Sequence, residues 1–310
     1  MSLKSRSIAL AAVAALSAVA LAGCASSSPL DSSSTSTAKA GGPIVVGSAN
    51  FPESEIIAQI YTQALKDNGV DSSIKPNIGA REVYLKALQD GSIDLIPEYS
   101  GSLLQYYDPS STAQSSDDVY AALSDALPKG YQVLDQAKAQ DADSYNVTKA
   151  FSQKWGVTSL ADLTKVTVPL TVGANPEFAD RPYGIKGLKS AYGVTATLDP
   201  ISDGGGPLTV KALQDGTVQL ADIYTTSSAI KDNDFVTLKD PKNIIIAENV
   251  VPIINSSKVD DKVSNILNKV SATLTTDDLV TMNDKSSGSA KESAEQIAKE
   301  WLAEKNLFTK

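Results

Sequence analysis

Residues 85–102, LKALQDGSIDLIPEYSGS, return 125 positions later as residues 210–227, VKALQDGTVQLADIYTTS. Nine of the 18 aligned positions are identical, including the tyrosines Tyr99 and Tyr224. Each copy reads as the end of a helix, a glycine that stops it, and a short strand with the tyrosine at its carboxyl end. A repeat of this length predicts two similar units in one chain.

A second pair of segments precedes these copies at a matching offset, IVVGSAN at 44–50 and LTVGAN at 170–175. Both are strand-like and are followed by helix signals. After the first, Glu53 and Glu55 occupy a first helical turn, and an apolar stripe with helical spacing runs on to Asn68. The strand–helix order therefore repeats as well.

This order predicts an α/β protein of two lobes, each a mostly parallel sheet flanked by helices. Ligands of such sheets bind at the carboxyl ends of the strands, so we expect Tyr99 and Tyr224 to face one cleft between the lobes.

The chain is expected to cross between the lobes twice. Residues 143–146 are predicted as a crossover strand and residues 244–254 as a return strand. The predicted first lobe is 44–145 plus 250–310, and the predicted second lobe is 146–249.

The N-terminus has the features of a secretory signal peptide, predicted over residues 1–23. Lys4 and Arg6 precede a run of apolar and small residues, which ends in the sequence LAGC at 21–24. These four residues match the bacterial lipobox, which implies cleavage before Cys24 and its acylation. The protein is then extracytoplasmic, anchored to the cell membrane by lipid at Cys24. The alternative is an ordinary secretory signal with a cysteine at that position by chance.

Residues 24–43 are mostly Ser, Thr, Ala and Gly, a composition that cannot form a core. We expect a flexible tether there.

Composition excludes several classes of function. The whole chain carries a net charge of −9, and removal of the signal peptide, which holds two basic residues, leaves −11, so nucleic acid is not an expected partner. With no histidine and one cysteine, the sequence excludes disulfides, histidine triads and Cys/His zinc sites, and no metal or cofactor is expected. Catalysis by carboxylates alone is not excluded.

Several motifs, taken in their order, resemble the substrate-binding lipoproteins of ABC importers for glycine betaine, carnitine, choline and proline. They are SANFPESEI at 48–56, EYSGS at 98–102, SYN at 144–146, EFADRPYGIKGLKSAYG at 177–193, IYTTS at 223–227 and ENVVP at 248–252. The resemblance covers most of residues 44–308 and implies the two-lobed periplasmic-binding-protein fold (type II). It also implies a monomer that passes a small osmolyte to the transmembrane subunits of a permease with a cytoplasmic ATPase, and no enzymatic activity.

The resemblance also implies a ligand site. Members of this family hold a quaternary ammonium in a cage of tyrosines, whose ring faces attract a cation that has no N–H to donate. The matching cage residues are Tyr99, Tyr145 and Tyr224. The ligand carboxylate is expected to meet Arg181 and the hydroxyl of Ser102.

Glu248 stands where the family has its fourth cage tyrosine. The replacement leaves the ligand open: a glycine betaine-like osmoprotectant, or another small polar solute such as choline, proline, ectoine or a sugar-like compound. A surface-anchored hydrolase that uses carboxylates is a third class.

Each site residue also has a structural interpretation. Tyr99 and Tyr224 are compatible with half-buried packing residues, Arg181 with an ion pair to a neighbour, and Glu248 with a solvated carboxylate at a strand end.

Overall fold

The computed structural model describes residues 42–287 and 291–308. The signal peptide, Cys24 and all but the last two residues of the predicted tether lie outside the described residues. None of the described helices is long and apolar enough to cross a membrane.

Two five-stranded sheets form the framework, and helices flank both. The strands are β1 Ile44–Gly47, β2 Ser72–Lys75, β3 Leu95–Tyr99, β4 Tyr131–Val133, β5 Tyr145–Val147, β6 Thr171–Ala174, β7 Thr197–Pro200, β8 Leu220–Asp222, β9 Val236–Thr237 and β10 Val250–Asn255. The helices are α1 Pro52–Asp67, α2 Arg81–Gln89, α3 Ser100–Tyr107, α4 Ser116–Ala126, α5 Lys149–Trp155, α6 Ile185–Tyr192, α7 Pro207–Gln214, α8 Ala229–Asp232, α9 Asp261–Thr273, α10 Thr276–Ser287 and α11 Ala294–Lys305.

The two sheets have equivalent strand orders and directions, but the antiparallel strand comes last along the chain in the first sheet and first in the second. The first has the strand order β2-β1-β3-β10-β4 and the second β7-β6-β8-β5-β9. In the first, β1 pairs in parallel with β2 and β3, and β10 pairs antiparallel with β3 and β4. In the second, β6 pairs in parallel with β7 and β8, and β5 pairs antiparallel with β8 and β9. The predicted two-lobed α/β fold is confirmed: four of the five strands of each sheet run in the same direction, and β10 or β5 runs antiparallel between two of them.

The repeated motif builds equivalent parts of the two lobes. In each copy a helix, α2 or α7, ends just before a glycine, Gly91 or Gly216, with a φ of +76° or +73°. That left-handed backbone turns the chain sharply into β3 or β8, and glycine adopts it without steric cost.

The amphipathic helix α1 holds the first lobe together. The five apolar residues of its predicted stripe are all fully buried, and the helix is capped at Asn68, as the pattern predicts. They pack among β1, β3, α9, α10 and α11, and each of the isoleucine and leucine side chains stabilises the fold by about 1.5–3 kcal/mol. The buried residues are Ile56, Ile57, Ile60, Ala64 and Leu65.

The return strand is shorter than predicted. It begins at Val250, because the preceding backbone bonds to other partners: Ala247 N–H donates to the Gln114 carbonyl, and Ile245 N–H to the Asp240 carboxylate. Residues 244–249 are thus an irregular connection between the two sheets.

Candidate functional site

A cavity of about 70 Å³ lies between the two sheets, where β1, β3, β6 and β8 end. It has room for a few waters or one small organic molecule. Its first-lobe residues are Ala49, Asn50, Phe51, Ala80, Arg81, Tyr84 and Ser102. The crossing segment contributes Asp141 and Asp143, and the second lobe Asn175, Glu177, Phe178, Arg181, Tyr183, Asp222 and Tyr224.

Ser102, Arg181 and Tyr224 are the residues predicted from the sequence that line this cavity. The Tyr224 ring stands edge-on to the Phe51 ring, with centroids 5.5 Å apart. Gly204 lets the rings approach, because a Cβ there would lie 3.2 Å from Phe51 Cβ. An aromatic pair contributed by both lobes therefore forms one wall.

Tyr99 lies behind this wall and is not among the lining residues. Its ring centroid is 6.1 Å from that of Phe51, and its hydroxyl donates to Glu53 Oε1 at 2.5 Å. Burial is the main cause of the raised pKa of Tyr99, and the nearby Glu53 charge adds to it. Tyr99 supports the aromatic wall from behind.

Tyr145 occupies the core of the second lobe and is 1 % exposed. Its hydroxyl donates to the Tyr183 carbonyl at 2.9 Å, and its ring packs edge-on against Phe178. Tyr183 and Phe178 line the cavity whereas Tyr145 does not, so Tyr145 lies one layer behind the wall.

Glu248 lies outside the cavity lining, at the N-terminus of α3. Its carboxylate accepts from the Gly101 N–H at 3.1 Å and the Ser102 hydroxyl at 2.6 Å. Burial raises its pKa to about 8, although the bonds from Ser102 lower it. Glu248 thus accepts a hydrogen bond from a backbone N–H in the first turn of α3 and fixes the position of the Ser102 side chain.

Arg81 and Glu98, to which the sequence interpretation gave no role, form a buried ion pair beside the cavity. The guanidinium Nε and Nη2 donate to Glu98 Oε1 and Oε2 at 2.8 and 3.0 Å, and the Tyr84 hydroxyl donates to Oε1 at 2.6 Å. The sequence feature that could have indicated this ion pair is the charged residue Glu98 near the end of the apolar strand LIPEY. Such a residue is almost never buried without a partner.

Asp143 and Asp222 were also missed, and both line the cavity. Burial raises the pKa of both carboxyls, and the neighbouring Asp143 raises that of Asp222 further. Two adjacent carboxyls in a poorly solvated site do not both ionise readily, so this pair tends to retain a proton. For Asp222, the sequence feature that could have indicated a site residue is the acidic residue at the end of the short strand LAD.

Only some of the charged residues around the cavity form ion pairs. Arg81 is paired with Glu98, and Arg181 with Glu82. Asp143 and Asp222 belong to no ion pair that the described residues form. The charges of Arg81 and Arg181 act on Asp143 from a distance, since both arginines line the same cavity. Aromatic rings beside carboxyl groups that form no ion pair suit a small cation.

Comparison with known families agrees with this architecture. The family described as the substrate-binding domain of the ABC-type glycine betaine transport system matches residues 42–304.

Two curated relatives are similar over most of their length. The glycine betaine-binding protein YehZ of Escherichia coli is 25 % identical over 231 residues, which cover 71 % of this chain and 76 % of the relative. A glycine-betaine-binding protein of Pseudomonas aeruginosa is 25 % identical over 221 residues, covering 67 % and 70 %.

Among solved structures, the crystal structure of a glycine betaine/carnitine/choline ABC transporter superposes with a TM-score of 0.68 at 20 % identity. It covers 86 % of this chain and 100 % of that one, and it shows the same two-lobed fold. The chain therefore belongs to the family of substrate-binding domains of ABC-type glycine betaine transport systems.

Proposed function

We propose that this protein is the extracytoplasmic solute-binding subunit of an ABC importer, and that it captures a quaternary-ammonium osmoprotectant of the glycine betaine class between its lobes. The loaded protein then delivers the osmolyte to the transmembrane subunits of the permease. Family membership supports the transport role, and the two curated relatives named for glycine betaine support the ligand.

The observation that carries the proposal is the composition of the cavity wall. The rings of Phe51 and Tyr224 meet there from opposite lobes, next to the carboxyl groups of Asp143 and Asp222. A trimethylammonium group has no N–H, so ring faces and nearby negative charge are what bind it, at about 0.5–2 kcal/mol per ring.

We assign the aromatic cage in two layers. Phe51 and Tyr224 contact the ammonium directly, while Tyr99 supports Phe51 from behind and Tyr145 supports Phe178. The ligand carboxylate is assigned to Arg181 and the Ser102 hydroxyl, both of which line the cavity.

Ligand capture is proposed to close the lobes about the two chain crossings. The moving bodies are residues 44–145 plus 250–310 and residues 146–249, with the hinge near Tyr145 and Asn249. Ligand between two lobes joined by thin connections is the usual geometry of hinge closure.

The membrane anchor is part of the proposal and rests on the sequence LAGC at 21–24. Acyl chains on Cys24 keep the monomeric protein at the membrane, and the segment 24–43 gives it reach towards the permease.

A second ligand class, a choline-like cation without a carboxylate, is favoured by one observation. Both arginines at the cavity already have carboxylate partners, Glu98 and Glu82, so a ligand carboxylate has to compete with one of them. The replacement at Glu248 is a weaker reason, because that side chain serves the α3 N-terminus.

Calorimetric titration of the full-length protein with glycine betaine, choline, carnitine, proline and ectoine tests the proposal. We expect one-to-one binding of at least one quaternary ammonium, with glucose as a non-binding control. If all five solutes give no heat while circular dichroism shows a folded protein, the proposed ligand class is wrong.

A further inference from the structure

Glu53 joins three distant parts of the chain behind the aromatic wall. It lies in the first turn of α1 and is 3 % exposed. The Tyr99 hydroxyl donates to Oε1 at 2.5 Å, while the Thr226 hydroxyl and the Asn283 amide donate to Oε2 at 2.8 and 2.6 Å. Three donors around one carboxyl stabilise its ionised form, although burial outweighs them and raises its pKa.

The partners of Glu53 belong to both copies of the repeated motif. Tyr99 ends the strand of the first copy, and Thr226 follows Tyr224 by two residues in the second. Tyr99 packs against Phe51, and Phe51 against Tyr224. One carboxylate thus ties the two lobes together next to the rings proposed to hold the ligand.

A second buried carboxyl, Asp141, completes this cluster. It is 6 % exposed and accepts from the Thr226 N–H at 3.0 Å and the Thr225 hydroxyl at 3.2 Å, and the hydroxyl of the same Thr226 donates to Glu53. The segment that holds it, just before β5, is one of the two connections between the lobes.

The surroundings of the two carboxyls hold no compensating cation among the described residues. The titratable groups that face Glu53 are Tyr99 from β3 and Asp141 from the connection; α10 supplies an amide and the segment after β8 a hydroxyl. Asp141 faces Glu53 and, further off, Tyr99, Tyr224 and the Asp222 end of β8. No ion pair formed by the described part of the chain includes either residue.

We propose that Glu53 and Asp141 together form an inter-lobe tie that works only while the pair holds one proton, which Asp141 donates to the Glu53 carboxylate. Glu53 is a positioning residue, acting on the ligand through Tyr99, Phe51 and Thr226. Ligand capture is therefore coupled to uptake of a proton. The coupling to capture rests on the proposed function, whereas the tie itself rests on the contacts that Glu53 and Asp141 make with Thr226.

The direction of the pH effect follows from burial. Burial raises the pKa of Glu53 and of Asp141, and the Glu53 charge raises that of Asp141 further. When the lobes open, water reaches both groups and their pKa values return towards the ordinary range near 4. The closed form therefore binds the extra proton, so closure is favoured at low pH and lost as the pH rises through the pKa of the closed pair.

Direct contact between these acids and a cationic ligand would act in the opposite direction. Ionisation would then strengthen binding as the pH rises. The sign of the pH dependence distinguishes the two roles of Asp141.

Small-angle X-ray scattering of the ligand-free, full-length protein from about pH 5 to pH 9 tests the tie, with calorimetric affinities for glycine betaine and choline over the same range. In the wild type we expect the radius of gyration to increase with pH. We also expect the dissociation constant to rise up to about tenfold per pH unit above the pKa of the pair.

Asp141→Asn is the decisive variant, because its amide supplies the same donor to Glu53 but does not titrate. For each protein, the radius of gyration and the affinity are compared with that protein's own values at the lowest pH. Both quantities should change less with pH in Asp141→Asn than in the wild type. The side-chain amide of Glu53→Gln places an N–H against a hydrogen-bond donor. This variant should therefore have a larger radius of gyration than the wild type over the whole pH range. Tyr99→Phe should weaken binding more than Tyr131→Phe, whose hydroxyl bonds the distant Leu88 carbonyl.

Identical pH profiles of the wild type and Asp141→Asn would overturn the tie, as would binding that strengthens with pH in the wild type alone. If Glu53→Gln does not fold, Asp141→Asn still decides. A pH-dependent radius without binding of either ligand would support the tie and contradict the proposed ligand class instead.

Discussion

Arg181 of the second lobe holds Glu82 of the first lobe at the edge of the cavity, with Nη1 2.7 Å and Nη2 3.4 Å from the two carboxylate oxygens. Burial is the largest single influence and acts to raise the pKa of Glu82, but the hydrogen bond and charge of Arg181, a backbone hydrogen bond and the charge of Arg81 together lower it. The guanidinium proposed for the ligand carboxylate thus already has a partner, and that partner lies on the other lobe.

Glu82→Gln should free Arg181 for a ligand carboxylate. Because a half-exposed ion pair is worth at most about 1 kcal/mol, we expect up to about fivefold tighter binding of glycine betaine, with little change for choline. Asp180→Asn is the matched control, since Asp180 neighbours Arg181 in sequence but pairs with Lys186. An equal change for both ligands in calorimetry would show that Arg181 does not meet a ligand carboxylate.

Tyr224→Ala should weaken quaternary-ammonium binding by about 1–2 kcal/mol, a loss of roughly five- to thirtyfold, because a ring face of the wall disappears. Tyr224→Phe keeps the face and should be tolerated better. Tyr106→Ala, a change at a surface tyrosine that is 40 % exposed, serves as the control. Isothermal titration compares the three, and equal affinities would remove Tyr224 from the site.

The fold could be predicted because the repeated motif specifies the order of secondary-structure elements in each lobe. A helix end, a glycine and a strand recur in the same order, and ligands of parallel sheets bind at the carboxyl ends of the strands, where both copies place a tyrosine. The structure confirms this in the pairs β3 and β8, and α2 and α7. The family assignment from the six motifs is likewise confirmed.

The sequence could not predict which site residues line the cavity and which lie one layer behind it. Successive side chains of a strand point to opposite faces, so a motif match at Tyr145 does not say whether its ring reaches the cavity or the core behind it. Glu248 bonds a helix N-terminus more than 140 residues earlier in the chain, a contact without any local pattern. Phe51 was inside a quoted motif, but no charge or spacing marked it.

Glu248→Gln should change how stability depends on pH. The pKa of Glu248 is raised to about 8 in the folded protein, above the ordinary value near 4.3 of the unfolded chain. The folded state then holds the proton more tightly, so the contribution of Glu248 to stability is greatest at low pH. It falls as the pH rises through about 8.

Thermal unfolding of the wild type and Glu248→Gln between about pH 4 and pH 9 measures this contribution. The difference in melting temperature between the two proteins should shift in favour of the variant as the pH rises. A constant difference would mean that Glu248 keeps an ordinary pKa in the folded state.

The lipid anchor has a direct chemical signature. Mass spectrometry of the N-terminal peptide from the native host should show cleavage before Cys24 and acyl groups on that residue, and the protein should partition into detergent. Cys24→Ala should be secreted without the anchor. An unmodified Cys24, or cleavage at another bond, would contradict the lipobox interpretation.

A crystal structure of the full-length protein with a bound quaternary ammonium, glycine betaine or choline, would locate the ligand directly. We expect the trimethylammonium between the lobes, within about 6 Å of the ring centroids of Phe51 and Tyr224, and near Asp143 and Asp222. Ligand density elsewhere, or in the cleft with its ammonium turned away from both rings, would refute the proposed site.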